Sequence, residues 1–87
     1  MWSIEYSDIA EVDILALDKP IRQRVLTYFR ERVAPHPEPK TLAEPLSGNL
    51  RGLWRFRMGD YRAICDIRGD KLVILVLQVG HRSGIYK

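Results

Sequence analysis

Three arginines at positions 55, 57 and 62, set around the pair Gly59-Asp60, are the residues of this chain best spaced to bind an anion. Gly59-Asp60 suits a two-residue hairpin loop, because glycine at the first central position supplies the positive φ of a type II′ turn. That loop pairs Met58 with Tyr61 and Arg57 with Arg62. Alternation then places Trp54, Phe56 and Met58 with Tyr61, Ala63 and Cys65 on one face, and Arg55, Arg57 and Arg62 on the other. Like charges facing each other across an antiparallel pair cost about 0.2–1 kcal/mol. A phosphate would offset that cost, since each guanidinium can donate paired hydrogen bonds to its oxygens. The competing reading is a solvated face on which the arginines splay apart, partly neutralised by Asp60 and Asp66.

The segment Gly80-His81-Arg82-Ser83-Gly84-Ile85-Tyr86-Lys87 adds an imidazole, a phenol and two more cations. Cleavage of a phosphodiester needs one group to take a proton, another to protonate the leaving oxygen, and cations around the developing pentacovalent phosphate. All three kinds are present. Against this stands a plainer reading, in which His81 is a loop histidine and Tyr86 anchors a chain end. Other chemistry is poorly served. His36 lies among prolines with no second nitrogen or sulfur ligand nearby, so neither a metal nor a cofactor is expected. Gly48, Gly52 and Gly59 do not follow strand-then-helix order, which excludes a P-loop or dinucleotide fingerprint. Ser83 lacks an acid and base at a hydrolase spacing. Trp54 could stack a base, but its parity with Phe56 assigns it to the core.

The elements that must position these groups follow from periodicity. Trp2, Ile4 and Tyr6 alternate as a short strand. Ser7 or Asp8 then caps a helix, with Asp8 and Glu11 as a capping box and Ile9, Val12, Leu15 and Ala16 as its apolar stripe. Asp18-Lys19-Pro20 starts a second helix, with Ile21, Val25, Leu26, Phe29 and Val33 inward and an end near Ala34. Pro35-His36-Pro37-Glu38-Pro39 reads as an extended connector, and residues 41–47 as a short turn. A second Gly-Asp loop at Gly69-Asp70 pairs Ile67 with Leu72, Cys65 with Ile74 and Arg62 with Leu77. The last strand is apolar on both faces, so it should lie inside the sheet with the N-terminal strand on its far side. The expected architecture is α+β, βααβββ: an antiparallel-rich four-stranded sheet with two N-terminal helices on one face, and residues 1–87 as a single domain.

Composition agrees with such a domain: 46% hydrophobic and 29% charged residues are globular proportions. The lone cysteine, Cys65, falls on the apolar face, which excludes an internal disulfide and a cysteine-based zinc site. The apolar run 72–77 is too short to span a bilayer, and the N-terminal residues lack the pattern of a signal peptide. A cytoplasmic protein without membrane contact is the expectation. Charge is unevenly spread: residues 1–44 carry six basic and eight acidic side chains, a net of −2, and residues 45–87 carry eight and three, a net of +5. A positive field confined to the C-terminal half favours a polyanionic partner.

The run Leu46-Ser47-Gly48-Asn49-Leu50-Arg51-Gly52-Leu53-Trp54-Arg55-Phe56-Arg57-Met58-Gly59-Asp60-Tyr61-Arg62, followed by Val79-Gly80-His81-Arg82 and Ile85-Tyr86, resembles the RelE toxins of bacterial type II toxin–antitoxin systems, within the RelE/ParE superfamily. The resemblance implies a metal-independent endoribonuclease that enters the ribosomal decoding site and cuts the mRNA codon there. Carried over by position, the catalytic residues are Arg55, Arg57, Arg62, Arg82 and Tyr86, with Arg51, His81 and Lys87 as further RNA contacts. Tyr86 would help activate the ribose 2′-OH, Arg82 would assist the leaving 5′-oxygen, and Arg55, Arg57 and Arg62 would hold the phosphate. Some RelE toxins carry lysine where Arg55 and Arg57 stand; here both are limited to electrostatics, and proton transfer falls to Tyr86 with His81. The implied partners are the 70S ribosome with mRNA and a cognate RelB-like antitoxin, acidic and folding as it binds, through which the complex would bind operator DNA. The alternative within the superfamily is a ParE-type toxin, which poisons DNA gyrase by binding and cuts no nucleic acid.

Overall fold

The computed structural model describes residues 1–84. The chain runs through β1 (Ser3–Tyr6), α1 (Asp8–Leu15), α2 (Lys19–Tyr28), β2 (Ala43–Pro45), β3 (Trp54–Met58), β4 (Tyr61–Arg68) and β5 (Val73–His81). The strands form one sheet in the order β1-β5-β4-β3-β2. β1 is parallel to β5, and the other neighbours are antiparallel. The α+β class, the paired helices and the interior position of β5 agree with the sequence reading. The strand count does not, because the sheet has five strands rather than four. The extra one, β2, pairs Ala43 with Phe56, Glu44 with Arg55 and Pro45 with Trp54. Three residues ending in proline give no alternation to read, and proline is tolerated there because β2 lies at the sheet edge.

Phe29 and Phe56, both fully buried, meet edge to face with centroids 5.5 Å apart, and join the helices to the sheet. Around them, Ala10, Ile14, Val25 and Val33 from the helical side pack on Met58, Ala63, Cys65, Ile74 and Val76 from the strands. Trp54 packs against this cluster as expected, with Lys40 Nζ 5.3 Å from its ring centroid. Cys65 is a free, buried thiol whose pKa is pushed up by burial and then by the neighbouring Asp66 carboxylate. It is therefore inert packing. Beyond α2 the helix widens through Phe29–Val33, where Ala34 N donates to Phe29 O, five residues back.

α1 departs from the expected orientation. Ser7, not Asp8, is its cap: Ser7 Oγ accepts from Ala10 N at 3.0 Å, and the Asp8–Glu11 box does not form. Ala10 and Ile14 face the core, whereas Ile9, Val12 and Leu15 are 64%, 67% and 70% exposed. The reason is tethering. Ser7 N and Oγ donate to the carbonyls of Val76 and Leu77, and the Asp13 carboxylate accepts from Val79 N at 2.9 Å. These bonds fix the helix on β5 by its polar side chains, and that rotation leaves the apolar stripe outward.

The β4–β5 connection also differs. Ile67 pairs with Ile74 and Cys65 with Val76, two residues beyond the expected partners, so the loop spans four residues, Gly69 to Leu72, with Leu72 at φ 54°. A slip of two residues keeps every side chain on its face, so alternation cannot distinguish the two registers. A bulge follows between Ile64 and Cys65, after which Ala63 pairs with Val79 and Arg62 with Gly80 rather than with Leu77. The extra residue is Leu77. Its insertion turns Val79 into the core and Gln78 out to solvent.

Candidate functional site

The β3–β4 hairpin forms as its sequence predicts. Met58 pairs with Tyr61 and Arg57 with Arg62. Gly59 has φ 65° and Asp60 is not at positive φ, the pattern of a type II′ turn. Strand parity puts Arg55, Arg57 and Arg62 on the sheet face away from the helices. Below them on that face, Ile64 and Leu46 are buried against Leu50 and Leu53 in a small second cluster.

The arginines are not equivalent. Glu44, carried by the unforeseen strand β2, sits between the first two: its Oε1 lies 3.1 Å from Arg55 NH2 and 2.8 Å from Arg57 Nε. Partial dehydration favours the neutral Glu44 acid, but hydrogen bonding and charge from Arg55, and then from Arg57, outweigh it and hold the carboxyl below its ordinary pKa. A depressed pKa means the pairs are complete above the ordinary carboxylate range and open only as pH falls through the lowered value. Arg55 and Arg57 therefore carry a counter-charge at neutral pH. Asp60 and Asp66, named as neutralisers in the sequence reading, pair elsewhere: Asp66 with Arg68 at 3.0 Å, and Asp60 with Arg82 at 3.8 Å.

Arg62 is held differently. Its NH1 donates to the carbonyls of Gly59 at 2.8 Å and Tyr61 at 3.1 Å, which locks the guanidinium at the hairpin end without a carboxylate. Across β4, Gly80 stands opposite Arg62 and His81 opposite Tyr61, their rings edge to face at 5.4 Å. Arg82 N donates to Asp60 O at 2.8 Å, so the residue after β5 is tied to the same turn. His81 Nδ1 is 2.8 Å from Ser83 Oγ and also accepts from Ser83 N. The hairpin end thus gathers Arg57, Arg62 and Arg82, whereas His81, expected beside them as an RNA contact, shares the opposite face with Tyr61 because the two are directly paired. Arg55 lies one pleat back, and Arg51 is exposed on the loop before β3, away from this group. Tyr86 and Lys87 lie outside the described residues.

Glu44 is the site residue that sequence reasoning missed. If it acts as a built-in counter-ion, Glu44→Gln, which keeps one carbonyl oxygen as an acceptor and removes the charge, should strengthen binding to a short RNA about threefold to tenfold and steepen its salt dependence. Fluorescence anisotropy at several salt concentrations measures both. An unchanged affinity would mean that Arg55 and Arg57 do not face the ligand.

Among the described residues no group of three or more histidine, cysteine or carboxylate side chains could hold a metal ion. What the arrangement offers is an electrostatic floor: fixed cations around a position open to a phosphate, with no carboxylate paired to Arg62 among the described residues.

Comparison with known proteins agrees with this fold. The family described as "ParE toxin of type II toxin-antitoxin system, parDE" matches residues 4–86. Toxin RelG of Mycobacterium tuberculosis is 26% identical over 86 residues, covering 99% of this chain and 97% of that protein. Among solved structures, the toxin–antitoxin complex RelBE2 of M. tuberculosis superposes with a TM-score of 0.85 at 24% identity, covering 94% of this chain and 92% of that one. The archaeal RelE–RelB complex of Pyrococcus horikoshii OT3 gives 0.71 at 26% identity, with 98% of each chain covered. With nearly its whole length matched, the chain belongs to the ParE toxin family of type II toxin–antitoxin systems, within the RelE/ParE superfamily.

Proposed function

We propose that this toxin is a ribosome-dependent mRNA endonuclease that cuts codons in the decoding site without a metal ion. The observation that carries the reading is the convergence of Arg57, Arg62 and Arg82 on one hairpin end, with Arg57 and Arg62 directly opposed. Sheet stability gains nothing from that pairing. A scissile phosphate lying there would receive hydrogen bonds from Arg57 and Arg62, which strengthen as charge builds on its equatorial oxygens. The ribose 2′-oxygen then forms a bond to phosphorus while the bond to the 5′-oxygen breaks, leaving a 2′,3′-cyclic phosphate and a 5′-OH. The proton of the 2′-OH goes to Tyr86, Arg82 supports the departing 5′-oxygen by its charge, and that oxygen takes a proton from water to become the 5′-OH. A phenol normally titrates near ~10 and needs neighbouring cations to act as a base at neutral pH. On this reading the arginines would supply them.

An acidic, RelB-like antitoxin fits two surfaces of this molecule. The exposed Ile9, Val12 and Leu15 offer an apolar stripe, and the basic hairpin end offers charge complementarity. The two solved complexes, RelBE2 of M. tuberculosis and RelE–RelB of P. horikoshii, pair those toxins with RelB antitoxins. Primer extension on a reporter mRNA after brief induction tests the whole reading. Cuts should appear within translated codons, vanish when translation initiation is blocked, and be suppressed by co-expression of the adjacent small open reading frame.

The second reading, a gyrase inhibitor, is favoured by one observation: the matching family model is that of the ParE toxins. It expects gyrase-dependent DNA damage, uncut mRNA, and indifference to Tyr86→Phe.

A further inference from the structure

Arg24, on α2, is not among the residues that the resemblance assigns to the site. A Cβ built on Gly59 would lie 2.7 Å from Arg24 NH2 and 3.1 Å from its Cζ. The guanidinium therefore rests directly on the bare face of the hairpin turn. Glycine serves there twice, by its φ of 65° and by the space its missing side chain leaves for Arg24. The same residue's carbonyl takes the hydrogen bond from Arg62 NH1 at 2.8 Å. Arg24 and Arg62 thus grip Gly59 from two sides, with nitrogens within about 9 Å of each other by standard backbone dimensions. Arg82 is tied to the next residue, Asp60. Three cations surround a two-residue turn, and Asp60, 3.8 Å from Arg82 Nε, is the carboxylate ion-paired there among the described residues.

We propose that Arg24 is a further RNA-backbone contact, binding the phosphate next to the scissile one on the helix side of the hairpin turn. The proposal rests on the ribonuclease reading. The strand would cross the Gly59-Asp60 tip, leaving one phosphate with Arg62 and presenting its neighbour to Arg24. A guanidinium parked on a glycine, with no carboxylate partner among the described residues, is positioned for an anion from outside the chain. Each phosphate neutralised by a protein cation releases counter-ions, so a lost contact is read as a reduced salt slope, a quantity that a purely structural role would leave alone.

The test uses a fluorescent 2′-O-methyl RNA, which cannot be cut, and the full-length toxin. Arg24→Gln should bind about threefold to tenfold more weakly and lose about 0.7 from the slope of log affinity against log salt, the value for one phosphate on a single strand. Arg24→Lys should restore the slope. On translating ribosomes Arg24→Gln should raise the toxin concentration needed for half-maximal cleavage more than it lowers the maximal rate. Arg62→Ala runs beside it as the control for the reading beneath. If Arg62→Ala loses RNA affinity and cleavage while Arg24→Gln keeps the wild-type slope, the role of Arg24 is overturned and the ribonuclease reading stands. Loss of antitoxin capture alone in Arg24→Gln also overturns it, in favour of an acidic peptide at that surface. If neither variant alters RNA binding or cleavage, both readings fail together.

Discussion

Arg62→Ala is expected to lower codon cleavage by about 10²–10³-fold while leaving the fold intact, since that is the usual effect of removing one preorganised donor from a developing oxyanion. Of the arginines at the hairpin, Arg62 is the one that two carbonyls, Gly59 O and Tyr61 O, fix in place without a carboxylate. It makes no ion pair with Glu44, so its charge is not offset by a carboxylate among the described residues. Of the carbonyls it leaves, Gly59 O lies on the exposed turn and can bind water, while Tyr61 O sits at the half-buried start of β4. Removing it also ends the opposition with Arg57, a like-charge term of about 0.2–1 kcal/mol. Thermal stability should therefore hold or rise slightly. Arg62→Lys should recover part of the activity, because an ammonium restores charge but not the planar fork. Primer extension and a melting curve on the same preparations decide the matter. Wild-type cleavage by Arg62→Ala would remove the hairpin from the mechanism.

Phe56→Ala should cost about 3–5 kcal/mol, the usual range for deleting a fully buried aromatic side chain. Phe56 is fully buried and makes edge contacts to Phe29 at 5.5 Å and to Tyr28 at 6.4 Å. A chain this short buries a modest core, and typical domains hold only ~5–15 kcal/mol in total. The variant should therefore unfold at a much lower denaturant midpoint, and its toxicity should fade at growth temperature while partial activity survives in the cold. The effect reaches the site through one strand. Phe56 points inward between Arg55 and Arg57, which point outward, so core and site share the same five residues of β3. A midpoint close to wild type would contradict the assignment of Phe56 to the core.

The hairpin and its register were legible because Gly59-Asp60 and the alternation on both sides specify a single pairing. The core role of Trp54 and the buried Cys65 followed from the same parity, and the interior position of β5 from a sequence apolar on both faces. Three features were illegible for physical reasons. β2 is too short to show a period, which hid Glu44, and with it the counter-charge of Arg55 and Arg57. The β4–β5 register was ambiguous because a slip of two residues leaves every face unchanged. On α1, the apolar spacing of Ile9, Val12 and Leu15 was read as a core stripe, but periodicity reports only that a face is apolar. It does not say which molecule covers it. The cost of the arginine cluster is also smaller than the sequence suggested, since Glu44 neutralises part of it and only the Arg57–Arg62 pair remains directly opposed.

The extra residue at Leu77 sets the phase of everything that follows it. Before the bulge, β5 is in step with the core: Ile74 and Val76 lie opposite Ile67 and Cys65. After it, the count advances by one, and Gly80 rather than Val79 stands across from Arg62. The residue beside that guanidinium is therefore the smallest one available, and the bulkier His81 falls one step further out. Were Leu77 paired in register instead of bulged out, Val79 would stand alongside Arg62 and cover its guanidinium with an isopropyl group, whereas deleting Leu77 would remove the bulge and leave Gly80 in place. The chain thus keeps the side of β5 facing Arg62 small by a miscount of one.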